Sequence, residues 1–271
     1  MSPPMNKVAL GAKVFGNQIA NVEVGGFSIS QTETDAALAD RVIPALRDNS
    51  GAEDVERLLA AVATTDFASD QLRAALTDNR EIPDWQVGEA LAEAYLEDHH
   101  DCQFPWPMSR DARNPRGSMP GTDSVGFQKH GVSYRMAFGE TKTSSDKNCP
   151  PQVWNGRSGL KKQLEGLRDS SAVKGHIVLR YLGIRANGAA WKETYMAAAG
   201  RYLAEPTDVS LFGVLVRDTN PHENDALARA KSLSKGCPKA TTIGIIVLYL
   251  PQNQISGLPT KVAAVERRRK K

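Results

Sequence analysis

The chain has 271 residues, enough for one large domain or two small ones, and its 41% hydrophobic and 24% charged content excludes disorder as the main state. Its three cysteines (Cys102, Cys149 and Cys237) cannot build a disulfide framework, and no two stand at C-x-x-C spacing. A reducing, cytoplasmic setting is therefore expected, and a structural zinc site is not. The longest apolar run, Ile243–Leu250, is far short of the about 20 residues a membrane span needs, and the N-terminus lacks an adequate secretory h-region. The net charge of +3 hides an asymmetry. Residues 1–100 carry 7 Lys/Arg against 17 Asp/Glu, and residues 101–271 carry 27 against 14. An acidic front and a basic remainder point to a polyanion-binding part joined to an acidic part that faces a protein partner or screens the basic face. The plainer alternative is two solvated surfaces.

In chain order, residues 1–30 read as short strands and turns broken at Gly25-Gly26. Helices are expected from Thr34 to about Asn49 (Ala37, Leu38, Val42 and Leu46 at helical spacing), from Ala52 to Ala63, and from Ser69 to Leu76. Residues 1–82 thus form an acidic, mainly helical region. A further helix runs from Pro83-Asp84 to Asp98. The stretch His99–Gly121 is irregular, because Pro105, Pro107, Pro115 and Pro120 exclude a helix. Strands are expected over Asp123–Gln128 and Val132–Thr143, joined by a Lys129-His130-Gly131 loop. A polar loop follows, then a helix from Ser158 to Arg168, a buried strand over Ile177–Ile184 and a helix over Ala189–Leu203. A strand over Val209–Arg217, a helix over Asn224–Leu233 and a strand over Thr242–Leu250 complete the pattern. Residues 83–260 therefore read as an α/β domain with a mixed sheet flanked by helices, and residues 261–271 as a disordered basic tail.

The hairpin at 123–142 carries the chemistry. With a period of two, Tyr134, Met136, Phe138, Glu140 and Lys142 share one strand face, and the three apolar residues turn that face to the core. Glu140 and Lys142 emerge at its end, about 7 Å apart by strand rise. Asp123 shares a face with Val125 and Phe127. Buried carboxylates are expensive unless paired or metal-bound. Two carboxylates and a lysine fit a divalent cation held by hard oxygens, with an ammonium beside it.

Asp123, sixteen intervening residues, then Glu140-Thr141-Lys142 resembles the PD-(D/E)xK nuclease superfamily, whose fold is a restriction-endonuclease-like core. The helix–strand–strand–helix–strand order over residues 83–184 is similar to that core. The superfamily often carries a Glu in the helix before the first core strand. Here that position falls on Glu89 of Gly88-Glu89-Ala90-Leu91-Ala92. Glu89 shares a helix stripe with Trp85, Ala92 and Leu96, whereas Glu93, the second choice, sits with Glu97 and His100 and reads as solvent-facing. Two positions depart from the family. Thr122 stands where the named pattern has Pro. Leu167 stands four residues after Gln163, where a RecB-like exonuclease subtype has Tyr. The acidic helical front, the G-T-D-S-V-G-F strand and F-G-E-T-K-T-S together resemble the nuclease subunit of Hachiman-type anti-phage systems, which implies a helicase partner that restrains the nuclease.

On that reading Asp123, Glu140 and the Thr141 carbonyl ligate Mg²⁺ or Mn²⁺, with Glu89 on the metal directly or through a water. Lys142 orients the attacking water and offsets charge on the transition state. Lys147, Arg157, Lys161 and Lys162 contact DNA phosphates. The competing reading is a non-catalytic module of the same fold that binds nucleic acid or a helicase, and an RNase on the same scaffold is a third. Acids and lysines also alternate by chance on solvated strands. His99-His100-Asp101-Cys102 has metal-ligand residue types but no fourth partner. Trp106 reads as a loop anchor. Ser144-Ser145-Asp146-Lys147 matches an acyl-enzyme pattern by letters only. With no P-loop in the sequence, any ATP-driven step belongs to another chain.

Overall fold

The structure, a computed structural model, describes residues 6–77, 80–107, 110 and 122–269. Seven strands form one mixed sheet in the order β1-β2-β7-β6-β5-β4-β3. At one edge, β1 (Ala12–Ile19) and β2 (Val22–Ser28) form an antiparallel hairpin. Toward the other, β4 (Ser124–His130) and β5 (Ser133–Ser144) form a second hairpin, with the two-residue β3 (Cys102–Gln103) beyond it. Between the hairpins β6 (Val209–Arg217) pairs parallel to β5, β7 (Thr242–Tyr249) to β6, and β2 to β7. All nine residues of β6 are buried, Ser210 and Arg217 among them, as a central strand with helices over both faces demands.

One face of the sheet (Ala137, Phe212, Val214, Ile246) packs under α5 (Asp84–His99). Outside α5 lie α1 (Gln31–Ala37), a π-helical turn (Leu38–Val42), α2 (Ile43–Leu46) and α10 (Leu258–Arg269). The opposite face (Phe127, Met136, Phe138, Leu211) packs against α6 (Leu160–Asp169), α7 (Ser171–Ala186), α8 (Lys192–Ala204) and α9 (Leu227–Leu233). A capping box starts α1: the Ser30 hydroxyl accepts the Glu33 N–H, and Glu33 accepts the Ser30 N–H. Two helices stand apart from both layers. Neither α3 (Asn49–Leu59) nor α4 (Asp66–Leu76) contributes a buried residue.

The expected α/β class is thus present, with corrections in detail. The expected strand at Ile177–Ile184 lies inside α7. Its apolar run is not buried throughout: Leu182 and Ala186 face inward four residues apart, while Ile177 and Ile184 are exposed. That is a helical period, and a short apolar run does not distinguish the two states. The two interior glycines are packing sites, since a Cβ at Gly175 or Gly183 would meet the hydroxyl of Tyr202 or Tyr195 on α8 at 2.2 or 2.5 Å. The strand that follows the helices beside β5 is therefore β6. Gly25 and Gly26 do not break the chain but lie inside β2, with the rings of Phe27 and Phe15 over them. The hairpin turn falls at Gly131-Val132 rather than 129–131, and Gly131 takes φ +62°, as a two-residue turn demands. The basic end is helical, not disordered, through Arg269. Leu258 and Val262 are buried beneath it and Glu266 pairs with Arg47 at 2.6 Å. The front of the chain also joins the sheet of the later residues, through β2 and β7. Most of the irregular stretch His99–Gly121 (108–109 and 111–121) lies outside the described residues, as do Lys270 and Lys271.

Candidate active site

Ser124 lies opposite Gly139 in the β4–β5 ladder, so Asp123, one residue before β4, falls opposite Glu140. Met136 and Phe138 are buried against the α6–α8 layer, and Glu140 follows them on that face at 3% exposure. The Asp123 and Glu140 carboxyls interact directly with each other. Burial raises the pKa of both, and for Glu140 the Asp123 charge adds to it while Lys142 and Lys174 oppose it. The Thr141 N–H donates to Asp123 Oδ2 at 2.7 Å, fixing the strand end against the loop. On a strand a residue's N–H and C=O point to the same edge. The Thr141 carbonyl therefore faces the Asp123 side, past the start of β4.

Glu89 comes from α5, on the other face of the sheet. Gly88 lets α5 sit close on β5: a Cβ there would lie 2.0 Å from Thr143 Oγ1. Because β4 starts only at Ser124, Glu89 interacts past its end with Asp123, Lys142 and Glu140. Burial, and then Asp123, push its carboxyl up to about 8, with Lys142 opposing. Asp123, Glu140, Lys142 and Glu89 thus form one electrostatic cluster. Glu93 differs from expectation. It does not face solvent: it accepts a hydrogen bond from the Ser124 hydroxyl at 2.9 Å, and burial pushes it up to about 8. The reason is that Glu93 lies on the sheet side of α5, over the start of β4 where Ser124 stands. A stripe reading that assumes one wet face fails there.

The fit of a divalent cation rests on the acids themselves. Among the described residues Glu140 Oε2 is buried with no hydrogen-bond partner, and the neighbouring Asp123 charge acts on the same carboxyl. An ion of charge two between them would satisfy the orphaned oxygen and relieve the repulsion. Asp123, Glu140 and the Thr141 carbonyl are the groups that would hold it. Among the described residues no three His, Cys, Asp or Glu side chains lie close enough to bind an ion alone. Glu89 would therefore act through a water, a coordination Mg²⁺ favours.

Of the four expected phosphate contacts, Lys147 and Arg157 are exposed. Lys161 and Lys162 share Glu165 at 3.2 and 4.0 Å, which leaves one net positive charge on that turn of α6. Lys174 on α7, the cation acting on Glu140 after Lys142, is absent from the expected set. It fell between the helix expected to end at Arg168 and the strand expected to begin at Ile177. His99 Nε2 contacts the Val8 carbonyl at 2.8 Å, and the rings of His99 and His100 both pack on Tyr95. Trp106 anchors its loop as expected, flanked by the guanidinium groups of Arg110 and Arg185 at 5.1 and 5.3 Å. Cys102, Cys149 and Cys237 are free thiols, and among the described residues no helix is long and apolar enough to cross a membrane. Compared with known proteins, the sequence matches no protein-family model and no curated protein.

Proposed function

We propose that this chain is a metal-dependent nuclease that hydrolyses DNA phosphodiester bonds. The observation that carries the reading is the facing Asp123–Glu140 carboxyl pair, Glu140 buried and Asp123 half-buried, with Lys142 next after Glu140 on the same strand face. Placing two like charges side by side away from water is costly, and among the described residues Glu140 Oε2 has no hydrogen-bond partner to offset it.

Asp123, Glu140 and the Thr141 carbonyl would hold Mg²⁺ or Mn²⁺, with Glu89 behind them. Such an ion supplies Lewis-acid polarisation of the scissile phosphate and makes water a nucleophile at neutral pH. The Lys142 ammonium orients that water in line with the P–O bond to be broken, and it offsets the negative charge that builds on the phosphoryl oxygens. Glu89 positions the water network from the α5 side. Lys147, Arg157, Lys162 and Lys174 hold the sugar–phosphate strand without reading its sequence. The motif likeness to Hachiman-type nuclease subunits extends the proposal to a helicase partner and anti-phage defence in the cytoplasm.

Plasmid nicking with Mg²⁺, Mn²⁺ or EDTA tests the reading, comparing the wild type with Glu140→Ala and Lys142→Ala. Cleavage by the wild type alone, and none in EDTA, is expected. Equal cleavage by all three proteins overturns the site. No cleavage by any of them, with DNA ends, single strands and RNA all supplied, favours a non-catalytic nucleic-acid- or helicase-binding module instead.

A further inference from the structure

Two exposed apolar faces remain that neither the sheet nor the acid cluster uses, and they are complementary. The first is on α3. Val55, Leu58, Leu59 and Val62 stand at i, i+3, i+4 and i+7 along the helix and the turn after it, and all are exposed, Leu58 at 76%. Glu53 and Glu56 flank the stripe, while Asp54 pairs with Arg57 at 3.0 Å. An eleven-residue helix is marginal without something to pack on. This one is held at its base, where Arg110 bonds Asp48 at 2.8 Å and Asp48 accepts the Gly51 N–H, while its apolar side stays uncovered.

The second face is the groove between α7 and α8, a cavity of about 740 Å³ lined by Leu179, Ile184, Tyr195 and Met196. Ile184 is 66% exposed. The absence of a Cβ at Gly183 lets Tyr195 lie against α7, where its hydroxyl donates to the Leu179 carbonyl at 3.1 Å. His176, Arg180 and Lys192 rim the groove.

We propose that α3 of one copy of this chain docks in the α7–α8 groove of a second copy. Four apolar side chains at i, i+3, i+4 and i+7 are the anchor set by which an amphipathic helix fills a groove. The acids beside the stripe meet the cations on the rim, which fixes orientation and speeds encounter. Within one copy both faces are open at once, so the arm does not fill its own groove. Two such contacts about a two-fold axis close a dimer in which each copy gives an arm and a groove.

Sedimentation equilibrium of the full chain, across concentration and at low salt, tests this. Concentration-dependent association of the wild type is expected, weakened about tenfold or more by either Leu58→Glu in the arm or Ile184→Glu in the groove. The decisive sample is an equimolar mixture of the two variants. One copy keeps its groove and the other its arm, so the mixture associates more tightly than either variant alone. Glu56→Lys weakens association and Arg180→Glu in the second copy restores it. Thermal unfolding of each variant at dilution, matched to wild type, shows that the fold is intact. A wild type that stays monomeric at every concentration, variants that associate as well as wild type, or a mixture no tighter than its components each overturns the proposal.

Discussion

The β4–β5 hairpin and the α3–α4 arm depart from the usual placement of charge and apolar surface in opposite directions. In the hairpin, carboxyls are driven into the interior: Glu140 is almost fully buried, and Glu89 and Glu93 on α5 are held well above the ordinary carboxylate range. In the arm, side chains that belong inside are left out: Leu58, Val62 and Phe67 are each more than 70% exposed. Both departures cost stability in the isolated chain. The hairpin's cost is electrostatic and is relieved by a cation and an anionic substrate. The arm's cost is hydrophobic and is relieved by a second surface. Variants at the two regions should accordingly be read by different measurements.

The largest effect is expected at the hairpin. Glu140→Gln keeps the shape of the side chain and removes its charge, and Lys142→Met removes the ammonium. Each is expected to lower the cleavage rate about 10²–10³-fold. The sharper outcome is that Glu140→Gln unfolds at a higher temperature than wild type at pH 8 without metal, because it ends the repulsion with Asp123. A loss of both activity and stability would mean that Glu140 serves the fold instead.

The pH dependence of stability follows from the same acids. Glu89 titrates at about 8 when folded and at 4.5 when unfolded. Its contribution is complete below pH 4.5 and is lost as pH rises through 8, since the unfolded chain releases the proton first. Glu140, Asp123 and Glu93 are shifted in the same direction. Thermal unfolding without metal is therefore expected to fall between pH 5 and pH 8, with Mg²⁺ or Mn²⁺ raising it more at pH 8 than at pH 6. Glu89→Gln should flatten the profile. A metal response equal at both pH values would detach the ion from these carboxyls.

How α5 seats on β5 gives a smaller effect. Gly88→Ala places a methyl 2.0 Å from Thr143 Oγ1, where one element must move. Overpacking of this kind costs about 1–3 kcal/mol. Removing the obstructing atoms in Thr143→Ala should return part of that loss, so the double variant is more stable than the sum of the single changes. Strict additivity would show that α5 and β5 do not meet there.

The hairpin was legible in the sequence because a two-residue period, an apolar face and paired acids all lie within one short segment. Register then follows from the turn, so Asp123 had to fall near Glu140 once Gly131-Val132 closed the loop. What could not be read depends on distant neighbours. Glu93 reads as wet until the start of β4, some thirty residues on, brings Ser124 against it. The run at Ile177–Ile184 reads as a strand until Tyr195 and Tyr202 are seen to occupy the space left by Gly183 and Gly175. Lys174 lies just before that run and was missed. The joining of β2 to β7 links residues more than 200 positions apart, and no local pattern encodes that.

The smallest expected effect lies in the arm, and its smallness is the informative part. Leu58→Glu and Val62→Glu add charge to side chains that touch almost nothing in the isolated chain. At protein concentrations low enough to keep the chain monomeric, unfolding should shift by no more than about 0.5 kcal/mol. A truncation such as Leu91→Ala under the sheet costs about 2–5 kcal/mol by comparison. Nor should the arm changes alter the rate of DNA cleavage at those dilutions, since α3 carries none of the acids around Glu140. The same change that leaves the monomer alone should act strongly once concentration rises and the stripe has a surface to cover it. A variant that unfolds the monomer would show that the arm packs on its own body in solution, and the contrast between the two regions would then disappear.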